Sequence, residues 1–262
     1  MPILKPNLKF VDKFLQHFSP IFTRKQFSLF KAYVYAMFSD YKRLSLSAAA
    51  NNMTLNYQQL QYFFSESDWD ISQLNDIRLR LLQKQRTTQA NNNGVLAIDD
   101  TGCPKPYALK TEGAKFQYCG PLRREENCNV AVASCFVSNS KHFPVDFKSY
   151  LPIDSAGPEN FKSKLDLAKD LISDALTKNI PFSSIVVDSW YTSTDLIDFS
   201  ANKNLSLIAE VKINRSIFIT HPQTKQWRYL RADQIIPLIK QFYPHKLKPV
   251  PIPQQDGSIK SV

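Results

Sequence analysis

Apolar residues recur every three or four positions along the first ninety residues, which is the spacing of amphipathic helices. Thr23 and Gln26 form a capping-box pattern ahead of one apolar stripe, and Asp70 stands in the capping position ahead of another. Such starts are typical of helices whose first backbone N–H groups need side-chain acceptors. The pattern predicts an all-α domain over residues 1–93.

Two short segments inside this region have the proportions of a helix-turn-helix. An Ala-rich helix is predicted around 47–51, and a second helix is predicted over 57–64. An ordinary helical hairpin would have the same pattern. Residues 1–93 hold 12 Lys and Arg against 6 Asp and Glu. The positive charge favours a DNA-binding role for this helical domain.

Beyond residue 93 the helical periodicity gives way to short apolar runs rich in β-branched residues, which predict strands. Strands are predicted over 94–100, 129–137 and 143–151, the last two joined as a hairpin by the polar turn SNSK. A long helix from about 159 and a further strand over 184–188 follow. With a later helix and strand, the order predicts a mixed α/β domain.

Carboxylates stand at the ends of two of these apolar strands. The run VLAIDD ends in Asp99 and Asp100, and SIVVD ends in Asp188. If the two strands are neighbours in one sheet, the carboxylates converge and repel unless a cation neutralises them. Mg²⁺ suits such an oxygen site, and paired metal ions are used in phosphoryl transfer. The alternative for each aspartate is a turn-capping role at the strand end.

Composition narrows the class of protein. The 262 residues carry a net charge of +10, but residues 94–200 are slightly acidic, with 11 Lys and Arg against 14 Asp and Glu. A basic chain with an acidic centre suits a protein that holds a polyanion around a carboxylate site. No apolar run spans a bilayer and no signal peptide is evident, so we expect a cytoplasmic bacterial protein. The four cysteines match no common zinc spacing and are expected to be free thiols.

Four sequence blocks occur in the order IDDTGCPK (98–105), FQYCG (116–120), ENCNVAV (126–132) and VVDSWY (186–191). In these blocks the chain resembles the DDE-superfamily transposases of bacterial insertion sequences. The resemblance implies a ribonuclease H-like mixed sheet with flanking helices, preceded by the all-α domain. It also implies hydrolysis of phosphodiesters at the ends of a DNA element and strand transfer to target DNA.

The resemblance implies that Asp188 and either Asp99 or Asp100 are catalytic. Successive strand residues point to opposite faces, so only one of the adjacent pair faces the metal, and we favour Asp100 together with Asp188 as metal ligands. Mg²⁺ is the implied cofactor, with Mn²⁺ as a substitute. The implied partner is DNA, both element ends and target, bound by a homodimer.

Several other residues in or near the blocks are candidate DNA contacts. Lys105, Arg123 and Arg124 carry charges that suit phosphates, and Trp190 and Tyr191 next to Asp188 suit stacking on a base. A core position for the tyrosine and a solvated turn for the arginines are the alternatives.

The family's third carboxylate, a Glu within a Tyr-Arg-Glu-Lys signature, has no counterpart in the sequence. Glu210 is the one Glu after Asp188, and it lies on a predicted strand. We therefore expect an incomplete catalytic core over 94–212 and the start of a β-rich insertion over 213–262, as in a truncated transposase. An inactive protein that only binds DNA ends and a standalone ribonuclease H-like nuclease are the alternatives.

Overall fold

A computed structural model describes residues 9–39, 45–108, 110–139, 141–244, 251–253 and 259–261. The chain divides into two compact units, residues 1–90 and residues 91–262. The division lies three residues before the boundary expected from the change of hydrophobic pattern. Most of the predicted insertion beyond residue 244 lies outside the described residues.

The first unit is helical throughout its described part. The predicted capping box is confirmed, because the backbone N–H of Thr23 donates to the Gln26 side chain at 2.8 Å and that of Gln26 donates to the Thr23 hydroxyl at 3.4 Å. Asp70 likewise accepts from the backbone N–H groups of Ser72 and Gln73. The helices are α1 Lys9–Leu15, a 3-10 helix Gln16–Ile21, α2 Arg24–Ser39, α3 Leu46–Met53, α4 Tyr57–Ser65 and α5 Ile71–Lys84.

An aromatic cluster forms the larger core of this unit. Phe22 packs against Phe30 and Phe63 with ring centroids 4.8 and 5.9 Å apart, and Phe63 stacks on Trp69 at 5.4 Å. The indole N–H of Trp69 donates to the backbone oxygen of Phe63, so the ring is buried without losing its polar partner.

A six-stranded mixed sheet forms the centre of the second unit. Its strands run in the order β4-β3-β1-β5-β6, with β2 also paired to β3. The pairs β1–β5 and β5–β6 are parallel, and β3 is antiparallel to its neighbours. This arrangement confirms the expected ribonuclease H-like sheet with flanking helices. The strands are β1 Val95–Pro104, β2 Lys115–Cys119, β3 Arg124–Ser138, β4 Lys141–Tyr150, β5 Ser184–Val187 and β6 Ser206–Ala209.

Helices and a second hairpin complete the unit. The structure describes, in chain order, α6 Ile153–Ala156, α7 Lys164–Thr177, α8 Thr194–Asn202, the hairpin strands β7 Ser216–Thr220 and β8 Trp227–Arg231, α9 Ala232–Phe242, and the short strands β9 Pro251–Pro253 and β10 Ile259–Ser261. In the described part of the chain, no helix is long and apolar enough to cross a membrane.

The helix α7 packs on β1, β3 and β4 and covers these strands on one face of the sheet. It begins at Lys164 rather than near residue 159, because Ser163 and Asp166 form a reciprocal capping box that fixes its first turn. Ion pairs join the helix region to β4, Lys148 to Asp174 at 2.7 Å and Lys178 to Asp146 at 3.0 Å. The buried residues of α7 are Leu167, Ala168, Leu171, Ile172 and Ala175.

Candidate active site

Asp99 and Asp188 each come directly after one of two paired residues on the parallel strands β1 and β5. Ile98 on β1 pairs with Val187 on β5, and the next residues are Asp99 and Asp188. The two strands are therefore neighbours in one sheet, which was the condition for their carboxylates to converge. This row of paired residues brings Asp99 and Asp188 to the same place on the sheet, whereas Asp100 contacts Lys164 at the start of α7.

Asp100 already has a partner for each of its carboxylate oxygens. Its Oδ2 lies 2.8 Å from the ammonium of Lys164, the first residue of α7, and its Oδ1 accepts from the Tyr191 hydroxyl at 3.3 Å. The side chains of Lys164 and Asp100 are only 20% and 26% exposed, so solvent screens this ion pair less than a surface pair. These two contacts hold the Asp100 side chain against the start of α7 and against Tyr191.

The ammonium of Lys164 also lies near two aromatic rings. Its Nζ is 5.7 Å from the centre of the Tyr150 ring and 5.4 Å from that of Trp190. No sequence pattern singles out this lysine, which lies 64 residues from its partner Asp100. The pairing arises only when α7 docks on the sheet.

Asp188 is oriented by the turn that follows β5. One of its carboxylate oxygens accepts from the backbone N–H groups of Trp190 and Tyr191, at 2.9 and 3.3 Å. The hydroxyl of buried Thr192 lies 3.2 Å from the backbone oxygen of Asp188 and 2.7 Å from that of Glu210. Thr192, which the sequence did not single out, thus holds the ends of β5 and β6 together.

Negative charge accumulates around Asp99. Burial is the main cause that raises the pKa of Asp99 above 3.8, and the charges of Asp100 and Asp188 raise it further. The backbone N–H of Asp100, which donates to Asp99 at 2.8 Å, and the charge of Lys164 act in the opposite direction. Burial and the nearby Asp100 carboxylate likewise raise the pKa of Tyr191, so its hydroxyl stays protonated and can donate.

Replacing Asp99 by asparagine is expected to stabilise the metal-free protein at neutral pH. Because the folded-state pKa of Asp99 is raised, the folded state loses stability as pH rises from about 3.8 through that pKa, and the ionised form carries the full cost at pH 7. Asparagine keeps an oxygen for the Asp100 N–H. Urea midpoints in EDTA should therefore rise for Asp99→Asn at pH 7.

This gain should shrink at pH 3, where the carboxyl is protonated in both states. Asp198→Asn on α8 is the matched control, because Asp198 is an exposed aspartate of the same unit that lies outside the carboxylate row. An equal or lower urea midpoint for Asp99→Asn at pH 7 would contradict the electrostatic description of the site.

The structure places the predicted DNA contacts unequally. Arg123 and Arg124 are exposed, and Arg124 forms an ion pair with Glu126 at 2.9 Å. Lys105 is half-buried. Tyr191 is fully buried with its hydroxyl on Asp100, so the expected stacking of this ring on a base is corrected: the neighbouring Trp190, 48% exposed, is the accessible aromatic.

Two residues from the sequence blocks hold backbone rather than line the carboxylate row. The Asn127 amide donates to the backbone oxygens of Lys105 and Ala108 at 2.9 and 2.8 Å, and the Gln117 amide donates to that of Cys128 at 2.9 Å. These contacts fasten the loop after β1 and the strand β2 to β3. All four cysteines are free, as predicted.

The site offers a divalent cation two neighbouring carboxylates, Asp99 and Asp188. Among the described residues, no three His, Cys, Asp or Glu side chains form a group that could hold a metal ion. Glu210 directly follows β6 and is exposed. Oxygen-only ligands on a strand edge fit Mg²⁺, which commonly takes one or two carboxylates with water and phosphate.

A family model and a relative of known name indicate the same protein family for this chain. A family model described as DDE superfamily endonuclease matches residues 14–254. Over 232 residues the chain is 31% identical to a protein of Microchaete diplosiphon named "Probable transposase for insertion sequence element IS701", an alignment covering 85% of this chain and 60% of that protein. The chain therefore spans about 60% of the length of this relative.

Two solved structures were also compared. The Drosophila P element transposase strand transfer complex has a TM-score of 0.31 and 12% identity, over 88% of this chain and 56% of that one. The Mos1 mariner paired end complex with Mn has a TM-score of 0.24 and 9% identity, over 79% and 68%.

Proposed function

The chain belongs to the DDE superfamily of endonucleases, and on this premise we propose that it acts as a DNA transposase. It hydrolyses phosphodiesters at the ends of an insertion sequence and joins the freed 3′-hydroxyl to target DNA. One observation carries the proposal: Asp99 and Asp188 directly follow paired positions of the adjacent parallel strands β1 and β5. The 31% identity to a transposase supports the choice of reaction.

Asp99 and Asp188 would hold the divalent cation, Mg²⁺ with Mn²⁺ as a substitute. Burial is the main cause of the raised pKa of Asp99, and the charges of Asp100 and Asp188 raise it further; a cation bound there would compensate these charges. Bound there, the cation supplies Lewis acidity that activates an attacking hydroxyl and stabilises the leaving oxygen.

The proposal assigns Asp99 rather than Asp100, which the sequence favoured, as the ligand from β1. Both oxygens of Asp100 are engaged, one by Lys164 and one by Tyr191. Asp100 is thus a positioning residue. Its contacts with Lys164 and Tyr191 hold the start of α7 and the turn after β5 against β1, the strand that carries Asp99. The backbone N–H groups of Trp190 and Tyr191 play the same role for Asp188.

The DNA would approach the place where β5 ends beside Asp99 in the middle of β1. Trp190 stands there, partly exposed and next to Asp188, and its ring suits stacking on an unpaired base. Arg123 and Arg124 are exposed cations of the same unit and suit phosphates. Pairing of two copies of the chain on two DNA ends stays a prediction.

The test is cleavage of DNA by the 262-residue chain. Supercoiled plasmid incubated with the protein and Mg²⁺ should become nicked, and EDTA should prevent it. A second candidate is a protein that binds DNA ends without cutting them. It is favoured because, among the described residues, no third carboxylate joins the other two in a group that could hold a metal ion. DNA binding without nicking in Mg²⁺ or Mn²⁺ would establish that candidate and contradict the transposase proposal.

A further inference from the structure

The helices α2, α3 and α4 share a compact core of small residues. Ala36 of α2, Ala49 and Ala50 of α3 and Leu60 of α4 are buried in one cluster, each 2% exposed or less. Alanines at the contact let helix axes approach closely. Because α2 contacts both later helices, α3 and α4 form part of a three-helix unit rather than an isolated hairpin.

A three-residue turn joins α3 to α4 with fixed geometry. Thr54 ends α3 in the left-handed conformation, at φ 54° and ψ 44°, a conformation uncommon for a β-branched residue. The backbone N–H of Leu55 returns to the oxygen of Ala50 at 2.8 Å. Asn56 then caps α4 by accepting from the backbone N–H of Gln58 at 2.8 Å. The segment therefore has the turn of a helix-turn-helix.

The outer face of α4 is polar and carries no charge. Gln58, Gln61 and Tyr62 are exposed on the side opposite the buried Leu60 and Phe63. Within the described part of the chain, the side chains of these three residues make no hydrogen bond. Solvated helix faces usually carry Lys, Glu, Arg or Asp. The nine residues of α4 and the eight of α3 carry no charge, so the two amides and the tyrosine hydroxyl are the groups with which a ligand on this face would form hydrogen bonds.

We propose that α4 lies in the DNA major groove and reads A·T base pairs, with Gln58 as the residue that contacts adenine. The major groove admits an α-helix, and a glutamine amide donates to N7 and accepts from N6 of adenine in one plane. Tyr62 and Gln61 flank this contact one helical turn further on.

Charge supports DNA as the occupant. Residues 1–93 carry 12 Lys and Arg against 6 Asp and Glu, and neither α3 nor α4 holds a carboxylate that would repel phosphates. The inference rests on the proposed function only in taking duplex DNA as the partner, and it needs neither Asp99 nor Asp188.

The experiment selects binding sites and then removes the amide. The 262-residue chain, in EDTA, selects from a pool of random 20-base-pair duplexes, and fluorescence anisotropy measures binding to the selected duplex and to an unrelated one. Gln58→Ala should weaken binding to the selected duplex roughly 5- to 100-fold and leave the unrelated duplex within about twofold. Gln73→Ala on α5 is the control, because Gln73 is an exposed helical glutamine of the same unit, and it should change neither.

A chemical double-mutant cycle separates base reading from a structural effect. Each adenine of the selected site is replaced in turn by 7-deazaadenine, which lacks the N7 acceptor. At one position this replacement should weaken binding of the wild-type protein, and in Gln58→Ala the same replacement should cause little further loss.

No enriched sequence, equal losses for Gln58→Ala and Gln73→Ala, or additive losses at every adenine would each overturn the assignment. Selection of single-stranded regions would overturn it as well. Because binding is measured in EDTA, failure of this inference is distinguishable from failure of the cleavage proposal, which is tested in Mg²⁺.

Discussion

Replacing Asp188 by asparagine is expected to lower Mg²⁺-dependent nicking by roughly 100- to 1000-fold, and Asp99→Asn should do the same. Each variant removes one of the two negative charges proposed to hold the cation, whose transition-state stabilisation amounts to several kcal/mol. Asparagine keeps the shape of each side chain and an oxygen for the N–H groups that orient it. The measurement is the initial rate of plasmid nicking.

Asp198→Asn, the exposed control on α8, should leave the rate within about twofold. Asp100→Asn is the sharper comparison, since it changes the adjacent residue on β1. It weakens the contact with Lys164 but leaves Asp99 in place, so we expect a smaller loss of roughly 10- to 100-fold. Full activity of Asp188→Asn with intact DNA binding would remove the catalytic assignment.

Truncating Leu171 to alanine is expected to destabilise the second unit by about 2–5 kcal/mol. Leu171 is fully buried on the face of α7 that covers the sheet, and α7 carries Lys164 at its first position. A cavity there loosens the helix that fixes Asp100. Hydrogen exchange at the amides of β3 measures this unit without contribution from the helical one.

Ile197→Ala on α8 is the control for this prediction, because Ile197 is 46% exposed. It removes a similar amount of apolar side chain and should cost less than about 1 kcal/mol. If both variants changed the exchange of β3 equally, α7 would not be the element that secures the sheet.

Local chemistry explains why much of the fold was predictable. The start of α2 at Thr23 and that of α5 at Asp70 follow from side chains that cap the next few N–H groups. The apolar runs that end in Asp100 and Asp188 indicated buried strands of one sheet, and these two strands are neighbours in the structure.

The rest of the site was not predictable, because it depends on contacts between segments that are distant in sequence. The four residues before Asp99 are all apolar in sequence, although the structure fully buries only Leu96 and Ile98, so the run did not show which of the two aspartates α7 would cover. The partners of Asp100, Lys164 and Tyr191, lie 64 and 91 residues away from it in sequence. The sequence also did not show that Tyr191 is buried, and this burial excludes the tyrosine ring as a DNA contact.

The most direct test of the central claim, that Asp99 and Asp188 hold the cation, is paramagnetic broadening of amide NMR signals by Mn²⁺ in the full chain. In the wild-type protein the signals of Trp190 and Tyr191, whose N–H groups contact Asp188, should broaden first. This broadening should vanish in Asp99→Asn and persist in Asp100→Asn. Its persistence in Asp99→Asn and loss in Asp100→Asn would contradict the assignment and return the metal to Asp100.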